Sequence, residues 1–166
     1  YSAAAPLCEQ ALAIQERALS PDHPTLAATL NNLANLRKAQ KNYAAARPLL
    51  QRALAIRERT LGPEHPDLAW SGGDLGILRR EQGDYTGAEG QFRRALAIFE
   101  RTDQQDGVAW TLNDLALLNQ RRGDPTTAEN YFKQAIATFE SKVCNSHPDL
   151  AQFLDNYAGL LRQTGR

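Results

Sequence analysis

Arg52-Ala53-Leu54-Ala55-Ile56 decides the fold, because the chain keeps returning to it. It recurs as Arg94-Ala95-Leu96-Ala97-Ile98, is preceded by Gln10-Ala11-Leu12-Ala13-Ile14, and is followed in altered form by Gln134-Ala135-Ile136-Ala137-Thr138. The copies are 42, 42 and 40 residues apart. A fixed period of this size marks an array of stacked repeats, and it outranks any single local motif. The expected organisation is one array over 1–166, in rows 1–42, 43–84, 85–124 and 125–166.

Each row reads as two helices. The first carries Ala4, Cys8, Ala11 and Leu12, matched by Ala46, Leu50, Ala53 and Leu54, and later by Ala88, Phe92, Ala95 and Leu96, then Ala128, Phe132, Ala135 and Ile136. These offsets place the side chains on one helical stripe, where the alanines let a second helix approach closely. Ser20-Pro21-Asp22-His23-Pro24, Gly62-Pro63-Glu64-His65-Pro66 and Asn145-Ser146-His147-Pro148 then break the pattern. Proline ends one helix and suits the first turn of the next, where no N–H is needed. The second helices carry Leu30, Leu33 and Ala34 or their copies, and close at Gly83, Gly123 and Gly165. In the first row that place holds Lys41-Asn42, and asparagine is expected to serve as the cap. The break at 102–107 lacks His-Pro and is two residues short, which predicts a tighter connection. The predicted helices are 2–19, 24–41, 44–60, 66–82, 86–101, 107–122, 126–142 and 148–164.

Composition narrows the function. Lysine and arginine total 19, as do aspartate and glutamate, so no net field favours nucleic acid or an anionic membrane. No apolar run approaches the roughly 20 residues of a bilayer span, and no signal peptide is visible, so a cytoplasmic protein is expected. The absence of methionine and the start at Tyr1 suggest a segment of a longer chain. Cys8 and Cys144 match neither a zinc nor a redox spacing; they read as a small core residue and a loop thiol.

Leu33-Ala34, Tyr43, Ala46, Leu50 and Ala53, and again Gly83, Tyr85, Ala88, Phe92 and Ala95, resemble the tetratricopeptide repeat (TPR) pattern. The 42-residue period, the phrase Thr29-Leu30-Asn31-Asn32-Leu33-Ala34 and the Gly-x-x-His-Pro connector resemble the kinesin light chain and nephrocystin subtype. The resemblance implies an all-α solenoid of antiparallel helix pairs, A and B, wound into a right-handed superhelix whose A helices line a concave groove. It implies that this chain opens on a B helix and closes on an A helix.

No catalytic, metal or cofactor constellation emerges. His23, His65 and His147 share one connector slot, which reads as a capping role, and no nucleophile has a histidine partner in the pattern. Binding is better supported. Ala28, Asn31, Asn35 and Lys38 share one face of the first A helix, opposite the packing stripe. Its copies are Trp70, Gly73, Ile77 and Arg80, then Trp110, Asn113, Leu117 and Gln120, then Gln152, Asp155, Gly159 and Arg162. This face varies while the packing positions mostly do not, as a heterogeneous ligand surface would. Asparagine can satisfy a peptide main chain. Trp70 and Trp110 supply area for an aromatic or leucine anchor. Lys38, Arg80, Arg162 and the neighbouring Arg121 favour an acidic peptide. The expected function is therefore a non-catalytic scaffold holding a short extended peptide; the alternative is a spacer or self-association element. Gly72, Gly73 and Gly76 predict local softness at 70–77, with room beside Gly72 for Trp70 or a hinge. The two end helices lack partners, which predicts exposed apolar faces and end-to-end association.

Overall fold

The structure, a computed structural model, describes residues 4–142 and 148–166. Eight helices appear among them: α1 (Ala4–Ala18), α2 (Pro24–Ala39), α3 (Tyr43–Leu61), α4 (Pro66–Glu81), α5 (Tyr85–Arg101), α6 (Gln105–Arg122), α7 (Pro125–Lys142) and α8 (Pro148–Gln163). Every boundary with described residues on both sides lies within two residues of its expected place. Tyr1, Cys144 and His147 lie outside the described residues.

The two described His-Pro connectors work as the sequence proposes. His23 Nδ1 accepts from the Thr25 N–H at 3.2 Å, and His65 Nδ1 from the Asp67 N–H at 3.1 Å. Each histidine thus caps a helix whose first residue is proline. The short break is tighter. Only Thr102, Asp103 and Gln104 separate α5 from α6, and Asp103 takes a left-handed φ of 53°. A Cβ at Gly107 would stand 2.5 Å from the Phe99 ring, so glycine there permits the close approach.

One cap differs from expectation. Gly83, Gly123 and Gly165 take left-handed φ values of 82°, 82° and 73°, but in the first row Lys41, at 57°, occupies that position. Asn42 instead caps the next helix, accepting from the Ala45 N–H at 3.2 Å as Asp84 and Asp124 do in later rows. A short side-chain acceptor is better placed before a helix than after one.

The strongest packing joins α2 to α3, α4 to α5 and α6 to α7, and successive pairs then stack. Ala46, Ala53, Ala88, Ala95, Ala128 and Ala135 are at most 1% exposed, and Leu50, Phe92 and Phe132 fill the space between them. At Gly76 an added Cβ would lie 2.6 Å from the buried Phe92 ring, so this glycine sets the α4–α5 approach. Gly72 differs: the Gln91 side chain, its Oε1 3.2 Å from where an added Cβ would sit, stands in the room expected for Trp70 or a hinge. Helix α4 nevertheless runs unbroken past all three glycines.

Outer ion pairs link successive B helices: Glu16 with Arg52, and Glu58 with Arg94 at 2.7 Å. Asp22 pairs with Arg59, and Glu64 with Arg101 at 2.6 Å. Such exposed pairs contribute about 0–1 kcal/mol each, against about 1.5–3 kcal/mol for a fully buried leucine or phenylalanine. Packing holds the array, and the ion pairs favour its register. The end helices do leave apolar surface bare: Leu7 is 65% exposed, Ile14 66% and Leu154 47%, whereas Ile56 and Leu30, their counterparts for the last two, are buried. Cys8 is only half-buried, unlike its counterpart Leu50.

Candidate functional site

Helices α4 and α6, and likewise α6 and α8, touch each other directly along one side of the array, so the A helices form its inner layer. On that side the sequence predicts Asn31, Asn35, Lys38, Trp70, Gly73, Ile77, Arg80, Trp110, Asn113, Leu117, Arg121 and Arg162. Asn35, Arg121 and Arg162 are exposed, and Trp70 is 41% exposed. Asn31, Lys38, Gly73, Ile77, Trp110 and Leu117 are half-buried.

Arg80 and Asn113 are not open to a ligand. Arg80 is buried, with Nη1 donating to Asp114 Oδ1 at 3.0 Å and Nε 3.4 Å from Glu81 Oε1. Asn113 is 1% exposed, and its Oδ1 accepts from Asn156 Nδ2 at 3.0 Å. Both are held by the next A helix, because a buried polar group must find a partner. The same ladder occurs one repeat earlier: Asp74 accepts from Lys38 Nζ at 2.7 Å and from Asn31 Nδ2 at 3.1 Å. Sequence reasoning missed Asp74 and Asp114. The available signal was a polar column one residue beyond the groove column: Asn32, Asp74, Asp114 and Asn156.

Burial pushes the Asp114 carboxyl up to about 6, against the opposing pull of the Arg80 guanidinium. Glu129, at the α7–α8 end, goes the other way, down to about 2, because Lys133, Arg166 and the Tyr157 hydroxyl all donate to it.

Between α4 and α6 lies a cleft of about 160 Å³. Trp70, Gly73, Ile77 and Trp110 line it, joined by Asp74 and Asp114. Each indole is braced by a second ring: Trp70 packs on Phe99 with ring centroids 4.8 Å apart, and Trp110 meets Phe153 edge-on at 4.9 Å. The Trp110 indole N–H also reaches Asp149 Oδ2 at 3.3 Å. Tethered rings lose less freedom on binding. Gly73 has the place that Asn31 and Asn113 hold in other rows, and a Cβ there would meet nothing within 4 Å. The missing side chain therefore helps to open the cleft. Leu117 and Arg121 contribute to a second, more polar hollow with Gln120 and Gln163. Among the described residues, no group of three histidine, cysteine, aspartate or glutamate side chains is placed to hold a metal ion.

Helix-pair stacking, alanine columns and an inner layer of A helices define a TPR solenoid. The tetratricopeptide repeat family profile matches residues 1–47, 25–101 and 73–141, and the chain belongs to that family. Its fold is similar to nearly identical TPR-like repeats of a protein assigned as a kinesin light chain from Podosopora anserina. Identity there is 25% over 99% of this chain and 79% of that one, with a TM-score of 0.79. BtubC (BKLC) from P. vanneervenii is 23% identical over 96% of this chain and 65% of its own, with a TM-score of 0.80. A Rap protein complexed with competence and sporulation factor shares the fold at 17% identity, over 86% of this chain and 39% of its own, with a TM-score of 0.77. No curated protein sequence matches the chain significantly. The kinesin light chain-like form of the repeat is the one that the connectors resemble.

Proposed function

We propose that residues 1–166 work as one non-catalytic array, in the cytoplasm, that holds a short extended peptide of another protein along its inner face. The observation that carries this reading is the α4–α6 cleft, where two braced tryptophans flank a position stripped to glycine. One anchor side chain enters there. Exposed Asn35 offers its amide to the peptide main chain, whereas Asn31 already donates to Asp74 Oδ2. Acidic residues, where the peptide has them, are met at the α6–α8 end by Arg121 and Arg162. Arg121 pairs with Glu81 at 3.1 Å but stays 52% exposed, whereas Lys38 and Arg80 are taken up by aspartates and mostly covered. The Rap complex offers a precedent on the same fold.

Selection from a random peptide library, followed by calorimetric titration, tests this. Peptides selected on the native protein should lose most of their affinity for Gly73→Leu, which fills the cleft from an open position, while that variant keeps its thermal stability. Selected peptides that bind Gly73→Leu unchanged would place the site elsewhere. The spacer and self-association reading has its own support in the bare Leu7, Ile14 and Leu154. Unlike apolar ends would join head to tail. Sedimentation at rising concentration reports it, and a monomer throughout would remove it.

A further inference from the structure

An apolar anchor leaves part of the cleft's chemistry unused. Three aromatic residues line it, Trp70, Phe99 and Trp110, together with the carboxylates of Asp74 and Asp114. The cations that balance these carboxylates, Lys38 and Arg80, are not in the lining, so the charged groups that line the cleft are both carboxylates. Asp74 has both oxygens engaged, Oδ1 by Lys38 and Oδ2 by Asn31. Asp114 has only Oδ1 engaged, by Arg80 at 3.0 Å; among the described residues nothing donates to its Oδ2. The Asp114 side chain is 15% exposed, and it lines the cleft.

A leucine or phenylalanine seated here would cover that acceptor without satisfying it, which is costly. A carboxylate would be repelled by both aspartates. An ammonium group on an alkyl stem meets every feature: the stem lies on the rings, the charge is favoured by their π faces, and one N–H reaches Oδ2. An arginine fork is matched less well, because it is best served by two parallel acceptors and only one oxygen is free. We infer that the α4–α6 cleft takes the side chain of a lysine in the bound peptide. The inference rests on the peptide-binding reading and specifies its anchor. It reverses, at this one point, the acidic preference expected from Lys38 and Arg80.

The two tryptophans of the chain both line the cleft, so intrinsic fluorescence reports its occupancy directly. The probes are N-acetyl-lysine-N-methylamide and its norleucine analogue, which keeps the stem and lacks the ammonium. The lysine compound should give a saturable change, with the norleucine compound weaker by on the order of tenfold. Asp114→Asn should abolish that preference, and Gly73→Leu should remove both responses while leaving Asp114 and Arg80 in place. Norleucine binding as well as lysine, or a preference that survives in Asp114→Asn, would overturn the inference. Selected library peptides that bind the inner face with leucine or an aromatic at the anchor would sink the lysine and leave the peptide reading standing. A clear lysine response without any selected peptide would do the reverse.

Discussion

Adding one methyl group at Gly73 and at Gly76, three residues apart in α4, should have opposite effects. Both are helix-interior glycines, so alanine gains about 1 kcal/mol at either from reduced backbone freedom in the unfolded chain. At Gly73 nothing lies within 4 Å of the new Cβ, so the gain is kept. At Gly76 the Cβ would sit 2.6, 2.9 and 3.0 Å from three atoms of the Phe92 ring, which is itself 0% exposed and cannot swing aside. Reaching ordinary contact needs a shift of about 1 Å in a packed interface, and overpacking of that kind costs about 1–3 kcal/mol or more. With the tightness seen here the upper end applies, leaving Gly76→Ala about 2 kcal/mol less stable. At about 2–4 °C per kcal/mol for a chain of this size, Gly73→Ala melts about 3 °C higher and Gly76→Ala about 6 °C lower. Scanning calorimetry with urea unfolding measures both. Upward shifts at both positions would show that helix propensity, and not the α4–α5 contact, decides them, and a downward shift at Gly73 would equally refute the reasoning.

Lys41→Gly should stabilise the chain by about 1 kcal/mol, read as a higher urea midpoint, because it relieves a left-handed lysine at φ 57°. Asn113→Ala should cost about 1–2 kcal/mol in the same assay by leaving Asn156 Nδ2 without its acceptor, and should scarcely alter peptide affinity. The raised Asp114 carboxyl makes the folded state bind more protons than the unfolded one between about pH 4 and 6. Its contribution is therefore greatest at low pH and is lost as pH rises through about 6, on the order of 2–3 kcal/mol at most. Asp114→Asn should remove that fall from the stability–pH curve, and an unchanged slope would contradict it. Glu129 acts in a lower window with the opposite sign, its contribution fading as pH falls from about 4.5 toward 2.

The helices were legible in the sequence because their punctuation is local. Proline, glycine and the capping histidines act within a turn of their own positions, and the repeat supplies several readings of each boundary. Trp70 and Trp110 were legible as the larger members of a variable column. The fates of Arg80 and Asn113 were not, since their partners Asp114 and Asn156 lie 34 and 43 residues onward and meet them only when A helices stack. The same distance hid the charge of the cleft. Lysine and arginine on the groove column suggest an acidic ligand until the aspartates of the next helix are seen to take them up. The neighbour of Gly72 was hidden for a related reason: Gln91, a helix away, stands beside the place left for Trp70 or a hinge.

The chain's two tryptophans give just two indole N–H resonances, and these test the peptide-binding inner face most directly. On adding a library-selected peptide to the ¹⁵N-labelled protein, both indole signals should shift, with backbone changes along α4 and α6 and none at Arg52, Arg59 and Arg94 on the B helices. Shifts confined to the B helices, with both indoles still, would contradict the account.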